Sequence, residues 1–391
     1  MSRETERFNR ALQKFINDNP DVDINNIKEE FLQMYNSGEY RLLDDFERAN
    51  DLFLEAHETS DIEEAKSLLE KAVEITPKHF DARTELLLLK EGLSYNDFEE
   101  LLKEIKNDLV NDGVDFDNIE ESLWYNIDCR PYIRCLNKYM LFSRLNKDYD
   151  KAIDIALEMI RLDENSKLEQ DLQLLCTYLC KKDYHSVLEH FNNIDDNLPA
   201  HYLLVKLMAL VGVKNYIDAD NISRALNKAN PYYLPILTGF LDIKEEEFHK
   251  MLDSLAYLPG SIEECVLYLN LLNEIFEPNT EAFVTYFNTR VDIVKELIMP
   301  NDNAIPILMY LSMTESDSKI IIINQLLGIG KEKSPLYGVL KEKYTKDELN
   351  QVFDSLVERK HIEKTEKNRY QISFLGYSLM SFMASMMDQG E

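Results

Sequence analysis

Turn-forming residues are scarce: the 391-residue chain holds 11 Gly and 11 Pro. With so little punctuation, a sandwich or barrel of many hairpins is disfavoured and long helices are favoured. Basic residues are outnumbered, 43 Lys and Arg against 72 Asp and Glu, for a formal charge of −29. A surface that acidic repels phosphate backbones at long range and argues against a general nucleic-acid binder. Its plain use is solubility. Long apolar runs are missing as well. No stretch nears the roughly 18 consecutive apolar residues of a membrane span, and Met1-Ser-Arg-Glu-Thr-Glu-Arg7 leads into a charged pattern without an apolar h-region. A cytoplasmic protein with no membrane partner is expected. Five cysteines, an odd number, at Cys129, Cys135, Cys176, Cys180 and Cys265 fit reduced thiols.

Chemical motifs are equally thin. Asp21-Val-Asp23-Ile-Asn25 begins like a calcium loop, but Asn26 stands where Gly is needed and Leu32 where a bidentate Glu is needed. The stretch from Asp112 fails in the same way, with Val114 at the third position. Gly328-Ile-Gly-Lys331 is too short for a phosphate loop, and neither Gly-x-Gly-x-x-Gly nor Gly-x-Ser-x-Gly occurs. Cys176 and Cys180 lie one helical turn apart, but with Leu172, Leu175 and Leu179 they read as a packed face rather than a zinc site. Neighbouring acids such as Asp195-Asp196 diverge on a helix, and the seven His form no acid–base constellation. The reading is of a non-enzyme with no cofactor and no metal.

What the chain does have is a repeat. Asp148-Tyr-Asp-Lys-Ala152-Ile-Asp-Ile-Ala156-Leu-Glu-Met159-Ile-Arg-Leu162 echoes Asp61-Ile-Glu-Glu-Ala65-Lys-Ser-Leu-Leu69-Glu-Lys-Ala72-Val-Glu-Ile75. Each has an acid, an Ala four on, then apolar residues at helical spacing. From Ala152 the pattern recurs 35 residues on, at Val187 of Asp183-Tyr184-His-Ser-Val187, and a further 32 on, at Ala219 of Asn215-Tyr216-Ile-Asp-Ala219, with Pro231 closing the last copy. These spacings bracket a period of roughly 34 residues. A small residue there lets the second helix of a hairpin cross the first closely.

This pattern resembles the tetratricopeptide repeat over about 46–79 and 131–231. The family's first-helix pattern is largely absent, with Leu136, Tyr139, Met140 and Ser143 at its sites, and Glu164 replaces the usual terminal Pro. The resemblance implies an all-α superhelical solenoid of helical hairpins that binds a peptide or protein segment on its concave face. Residues 1–45 read as a helical cap of two helices. The repeats cover 46–231, degenerate between 80 and 130, where Tyr95–Val110 forms a helix on Phe98, Leu101, Leu102, Ile105 and Leu109. Further hairpins fill 232–317, with breaks at Pro259-Gly260, Pro278-Asn279 and Pro300-Asn301.

From Ser318 the character changes. A helix at Ile320–Leu327, a second opening at Ser334-Pro335, and a third at Lys346–Lys360 capped by Thr345 and Glu348 precede a hairpin (His361–Lys364, then Arg369–Ile372) and a closing helix, Phe374–Met387. This order resembles a winged-helix module over 318–391. Its third helix is no basic reader. Residues 331–369 hold ten Lys and Arg against eight Asp and Glu, so only Lys364, Lys367 and Arg369 on the wing are placed to touch DNA phosphates. A protein-binding or solenoid-capping module fits better. Leu375, Leu379, Phe382, Met383 and Met386 line one side of the closing helix, for packing or for a homodimer contact, with Met380 and Met387 outside that stripe.

The most unusual local composition runs from Trp124, the only Trp, to Lys151, a basic and aromatic island in an acidic chain. In the repeat register Arg134, Asn137, Leu141 and Arg144 face the groove, where Arg and Asn could grip a carboxylate or an acidic peptide. The candidate peptide- and protein-binding residues are Trp124, Arg130, Tyr132, Arg134, Asn137 and Arg144. The competing use is internal, with Arg130 and Arg134 paired to acids and Trp124 and Tyr132 filling a hairpin core. The function expected is a protein-interaction scaffold or adaptor. The alternative is a ligand-sensing regulator whose C-terminal module contacts DNA.

Overall fold

A computed structural model of the chain describes residues 3–19, 24–38, 44–119, 121–164, 169–192, 198–252, 257–300, 304–314, 316–365 and 367–388. It is all-helical apart from one small hairpin near the C-terminus, and it divides into two compact units, Met1–Thr177 and Tyr178–Glu391. The first contains α1 (Arg3–Asp18), α2 (Ile24–Ser37), α3 (Asp45–Glu58), α4 (Ile62–Ile75), α5 (Phe80–Leu88), α6 (Tyr95–Asn111), α7 (Arg130–Leu145) and α8 (Tyr149–Leu162). Helix α9 (Gln170–Lys181) contains the boundary. The second unit holds α10 (Tyr184–Phe191), α11 (Ala200–Gly212), α12 (Tyr216–Ala229), α13 (Tyr233–Leu237), α14 (Glu245–Leu252), α15 (Ile262–Leu271), α16 (Phe276–Thr289) and α17 (Val291–Ile298). After these come α18 (Ile305–Thr314), α19 (Lys319–Leu326), α20 (Lys346–Glu358), β1 (Ile362–Lys364), β2 (Tyr370–Ile372) and α21 (Phe374–Asp388). The calcium-loop look-alike at Asp21–Asp23 lies outside the described residues.

Sequential helices pair as hairpins, α3 on α4, α7 on α8 and α11 on α12. Three of the connections are built alike. Helices α7, α9 and α11 each end on a lysine in the left-handed region, Lys147 (φ 60), Lys182 (φ 62) and Lys214 (φ 61). The next residue's N–H donates five residues back along the helix end, Asp148 to the Ser143 carbonyl (2.9 Å), Asp183 to Tyr178 (2.8 Å) and Asn215 to Leu210 (2.9 Å). This is the glycine-type helix stop with lysine in glycine's place, at a cost of about 1 kcal/mol each. The same Asp or Asn then caps the next helix by accepting from Lys151 (3.3 Å), Ser186 (3.3 Å) or Asn215's partner Asp218 (3.4 Å). One residue thus closes one helix and opens the next.

The small residues of the repeat lie where expected: Ala152, Val187 and Ala219 are all 0% exposed. The upstream echo differs, because Ala65 is only half-buried and α3 ends on Thr59 in an extended conformation, without a left-handed lysine. Helix α6 buries Phe98, Leu101, Leu102, Ile105 and Leu109 as its spacing requires.

Three expected boundaries move. Pro278 breaks nothing. It sits in the first turn of α16, where its missing N–H has no intrahelical acceptor in any case, and the chain turns earlier at Asn273–Ile275. Between Pro278 and Pro300, where no break was expected, the helix is divided at Arg290 (φ −112, ψ 32). Residues 334–344 form successive tight turns instead of a helix, because Gly338 and Leu340 donate across to the Gln325 and Leu326 carbonyls (2.8 and 2.9 Å) at the end of α19.

The C-terminal core reaches back before Ser318. Ala304, Ile307, Leu308 and Leu311 join Ile322, Leu326, Leu349, Phe353, Ile362 and Ile372 in one buried cluster. Strands β1 and β2 pair antiparallel, Ile362 opposite Ile372, and Asp317 extends them by bridging to Tyr370. The cap of α20 forms as the sequence indicates, Thr345 N–H to the Glu348 carboxylate at 2.7 Å and Glu348 N–H to the Thr345 hydroxyl at 3.3 Å. Leu375 and Leu379 of α21 are buried, and Met380 packs on the cluster. The side chains of Phe382, Met386 and Met387, on which a homodimer contact would depend, lie outside the described ones.

Candidate functional site

Two single-turn helices, Leu123–Tyr125 and Ile127–Cys129, lead into α7. Ser122 caps the first by accepting from Trp124 N–H (3.3 Å) and Asn126 the second by accepting from Asp128 N–H (3.1 Å). Pro131 then sits in the first turn of α7, where proline is preorganised for a helix. The entry places the Trp124 ring beneath two arginines one helical turn apart. The Arg130 guanidinium lies 5.3 Å from the ring centre and that of Arg134 lies 5.9 Å from it.

Both guanidiniums are engaged by the protein's own groups. Arg130 donates to the Trp124 carbonyl (2.8 Å) and to Glu6 of α1 (3.1 Å). Arg134 donates to the same Glu6 oxygen (2.9 Å) and, through both edges of its fork, to Asp81 of α5 (2.8 and 2.7 Å). Arg130 and Glu6 are each 2% exposed. Burial alone would lower the Arg134 pKa, but Asp81 and then Glu6 outweigh it and the pKa is raised. Helix α1 adds Arg7, which pairs with buried Glu47 of α3 at 3.1 Å. Glu47 titrates higher than usual because of its burial, with Arg7 and Arg10 opposing the shift. The island is thus the centre of an ion-pair network joining α1, α3, α5 and α7.

The remaining candidates stand apart from this cluster. Tyr132 meets Phe116 edge-on (5.2 Å), and burial pushes its hydroxyl up to about 12. Asn137 is half-buried, and its Oδ1 is buried with no hydrogen-bond partner. Leu141, one turn on, is half-buried too, and Arg144 donates to the Gln173 side chain at 3.0 Å. The structure therefore brings Trp124, Arg130 and Arg134 together and leaves Asn137, Leu141 and Arg144 as a separate strip of α7. The acids that complete the cluster, Glu6 and Asp81, were not singled out in the sequence. They lie 124 and 53 residues from their partners, and no local pattern marks them.

The five cysteines are all buried. Burial pushes the Cys129 and Cys135 thiols up to about 11 and about 12, so both stay protonated. Cys180 donates to the Glu274 carbonyl at 3.7 Å. Among the described residues no His, Cys, Asp and Glu side chains converge as a metal site, and no helix is long and apolar enough to cross a membrane. On the C-terminal hairpin Lys364 and Lys367 are exposed, whereas Arg369 turns back to pair with Asp317 at 3.6 Å. His361, beside β1, is 1% exposed and is held down to about 4 by its burial, with Arg359 adding to the shift.

Comparison with known proteins gives one partial likeness. The chain is similar to the exocyst complex component SEC10 of Saccharomyces cerevisiae, 27% identical over 153 residues that cover 35% of this chain and 17% of that protein. The matched part is thus well under two thirds of the yeast protein's length. No protein-family model matches the chain. No solved structure matches it.

Proposed function

We propose that the protein is a non-enzymatic interaction scaffold of the cytoplasm, built from tetratricopeptide-like hairpins. Its repeats hold a peptide or protein segment on their inner face, and a winged-helix-like module closes the C-terminal end. The observation that carries this reading is the hairpin turn repeated three times, with lysine, then Asp or Asn, then Tyr at one period. Repeats of that kind build extended recognition surfaces and do not by themselves assemble catalytic groups. The likeness to a named component of a protein complex points the same way.

Because Arg130 and Arg134 already hold Glu6 and Asp81, and Arg144, 5% exposed, is held by Gln173, the binding strip we assign is Asn137 and Leu141, both half-buried. There the Asn137 side chain has an acceptor, Oδ1, with no hydrogen-bond partner within the protein. The test is affinity capture of the tagged full chain from cells, with partners identified by mass spectrometry, beside an Asn137→Glu/Leu141→Asp variant checked for unchanged melting. The scaffold reading expects a stoichiometric partner that the variant loses. Capture of the same partner by both would remove this strip from the interface, and no stoichiometric partner at all would remove the scaffold reading.

A further inference from the structure

The first unit also carries an open cleft whose lining includes none of the α7 residues. Helix α5 packs on α4 and on α6. The open cleft between these three helices has a volume of about 790 Å³. At a helix diameter of about 10 Å and a pitch of about 5.4 Å, that is room for on the order of two turns of a guest helix. Its apolar lining is Ile62, Val73, Leu86, Leu87, Leu89 and Leu101, of which Ile62 is 67% exposed and Leu89 37%. An isoleucine so open to water at the first position of a helix serves no packing role within the protein, and large exposed apolar groups with a polar rim mark interaction sites.

The rim is acidic. Six carboxylates line the cleft against three cations. Two of those cations are consumed: Arg83 forks onto Glu104 (2.6 Å for both contacts), and Lys90 pairs with Asp97. What remains for a partner is Lys66 against Glu63, Glu70, Glu91 and Glu100. Of these acids Glu100 accepts from Asn96 at 2.7 Å, while Glu63, Glu70 and Glu91 are exposed with no ion pair in the structure. Ile62, Lys66, Glu70 and Val73 follow one another at helical spacing, so a single face of α4 presents both the apolar and the acidic elements.

We propose that this cleft receives a basic amphipathic helix of a partner protein, its apolar stripe on Ile62 and Leu89 and its Lys or Arg side chains against Glu63, Glu70 and Glu91. Helix-in-groove recognition needs this combination, an apolar track for anchors at one-turn spacing and a rim of complementary charge that fixes orientation. The proposal rests on the scaffold reading but uses a different face. The Asn137→Glu/Leu141→Asp variant alters only α7 and the peptide titration below reads only the cleft, so either result can fail without the other.

The probe is a fluorescent 18-residue Leu/Lys amphipathic peptide, with its Leu/Glu counterpart as control, titrated with the full chain and followed by anisotropy at low and at physiological salt. The expected result is binding of the basic peptide alone, weakened about tenfold or more by Glu63→Lys/Glu70→Lys and also by Ile62→Asp. Glu245→Lys/Glu246→Lys on α14, an exposed acidic stretch of the other unit, should change it less than about twofold. No binding at low salt, equal binding of the acidic peptide, or equal loss in the α14 variant would each overturn the proposal. The last outcome would reduce the effect to the attraction of a cation for a chain of charge −29.

Discussion

On α7 the guanidiniums of Arg130 and Arg134 are shut in with Glu6 and Asp81, whereas along α4 and around the cleft the carboxylates of Glu63, Glu70 and Glu91 stand in water without a cation. The first region looks like a binding site by composition and is used by the fold. The second is unremarkable by composition and is left open. The difference follows from the count of charges. With 72 acids to 43 bases, a cation in this chain readily finds an internal partner, and the surplus that must remain unpaired is acidic. In such a protein the minority sign is where the fold secures itself, and the majority sign is what a partner meets.

The contrast breaks most visibly at Arg134. Removing it by Arg134→Met strips Glu6 of one cation and Asp81 of its fork, leaving charge in a site where Glu6 is 2% and Asp81 8% exposed. The expected loss is about 3–5 kcal/mol, the cost of breaking a buried pair from one side. Urea denaturation read by tryptophan fluorescence measures it directly, since the sole Trp, Trp124, stacks on this guanidinium. A loss under about 1 kcal/mol would mean that the pair is not structural and would return the arginine to the list of groups available to a partner.

His361 extends the comparison to the second unit, as another polar group closed in by the fold. It is held neutral to about pH 4, whereas an unfolded histidine takes up its proton near 6.5. Between those values the unfolded chain binds a proton that the folded protein refuses, so stability falls as pH drops from about 6.5 to 4, by up to about 3 kcal/mol, and this group has no effect above that window. His361→Gln should flatten the slope. An unchanged slope would place the acid sensitivity on other groups.

The upstream hairpin α3–α4 and the later α7–α8 sharpen the same point within the repeat. Their second helices read alike, yet Ala152 is 0% exposed and Ala65 half-buried. Ala152→Leu should cost about 1–3 kcal/mol by forcing α7 and α8 apart, while Ala65→Leu should cost well under 1. Equal costs, read by thermal melting, would mean that both crossings are equally tight.

What could be read in advance was whatever is written locally. The second helices of the hairpins, the buried face of α6 and the Thr345–Glu348 cap each depend on residues within a few turns of one another, and each appears where the spacing put it. The scarcity of glycine misled in one respect. It suggested few turns, whereas Lys147, Lys182 and Lys214 take the left-handed conformation that glycine usually supplies. Long-range pairings escaped. Nothing near Arg134 announces Glu6, nothing near Ser318 announces that Asp317 pairs with Tyr370, and a helical composition over 334–344 could not show that Gly338 (φ 74) must pass close to Gly328. The cleft escaped for a related reason: it is defined by what α4 and α6 leave uncovered on either side of α5, a property of no single segment.

The smallest effect is the one that most directly separates the two regions. Glu70→Lys reverses a charge as completely as any change on α7, but Glu70 is exposed and has no ion pair to lose. On α4 the new lysine would sit one turn from Lys66, a mild repulsion, and one turn from Glu74, a mild attraction, each a few tenths of a kcal/mol. The substitution also raises the net charge of −29 by two, relieving self-repulsion slightly. These contributions nearly cancel, so the stability read by thermal melting should stay within the range of about ±0.5 kcal/mol typical of surface changes. A loss above about 1 kcal/mol would show that the Glu70 carboxylate holds the fold together, as Glu6 does. The acids of the cleft would then be spent on the protein itself, like the arginines of α7, and would no longer be available to a basic guest.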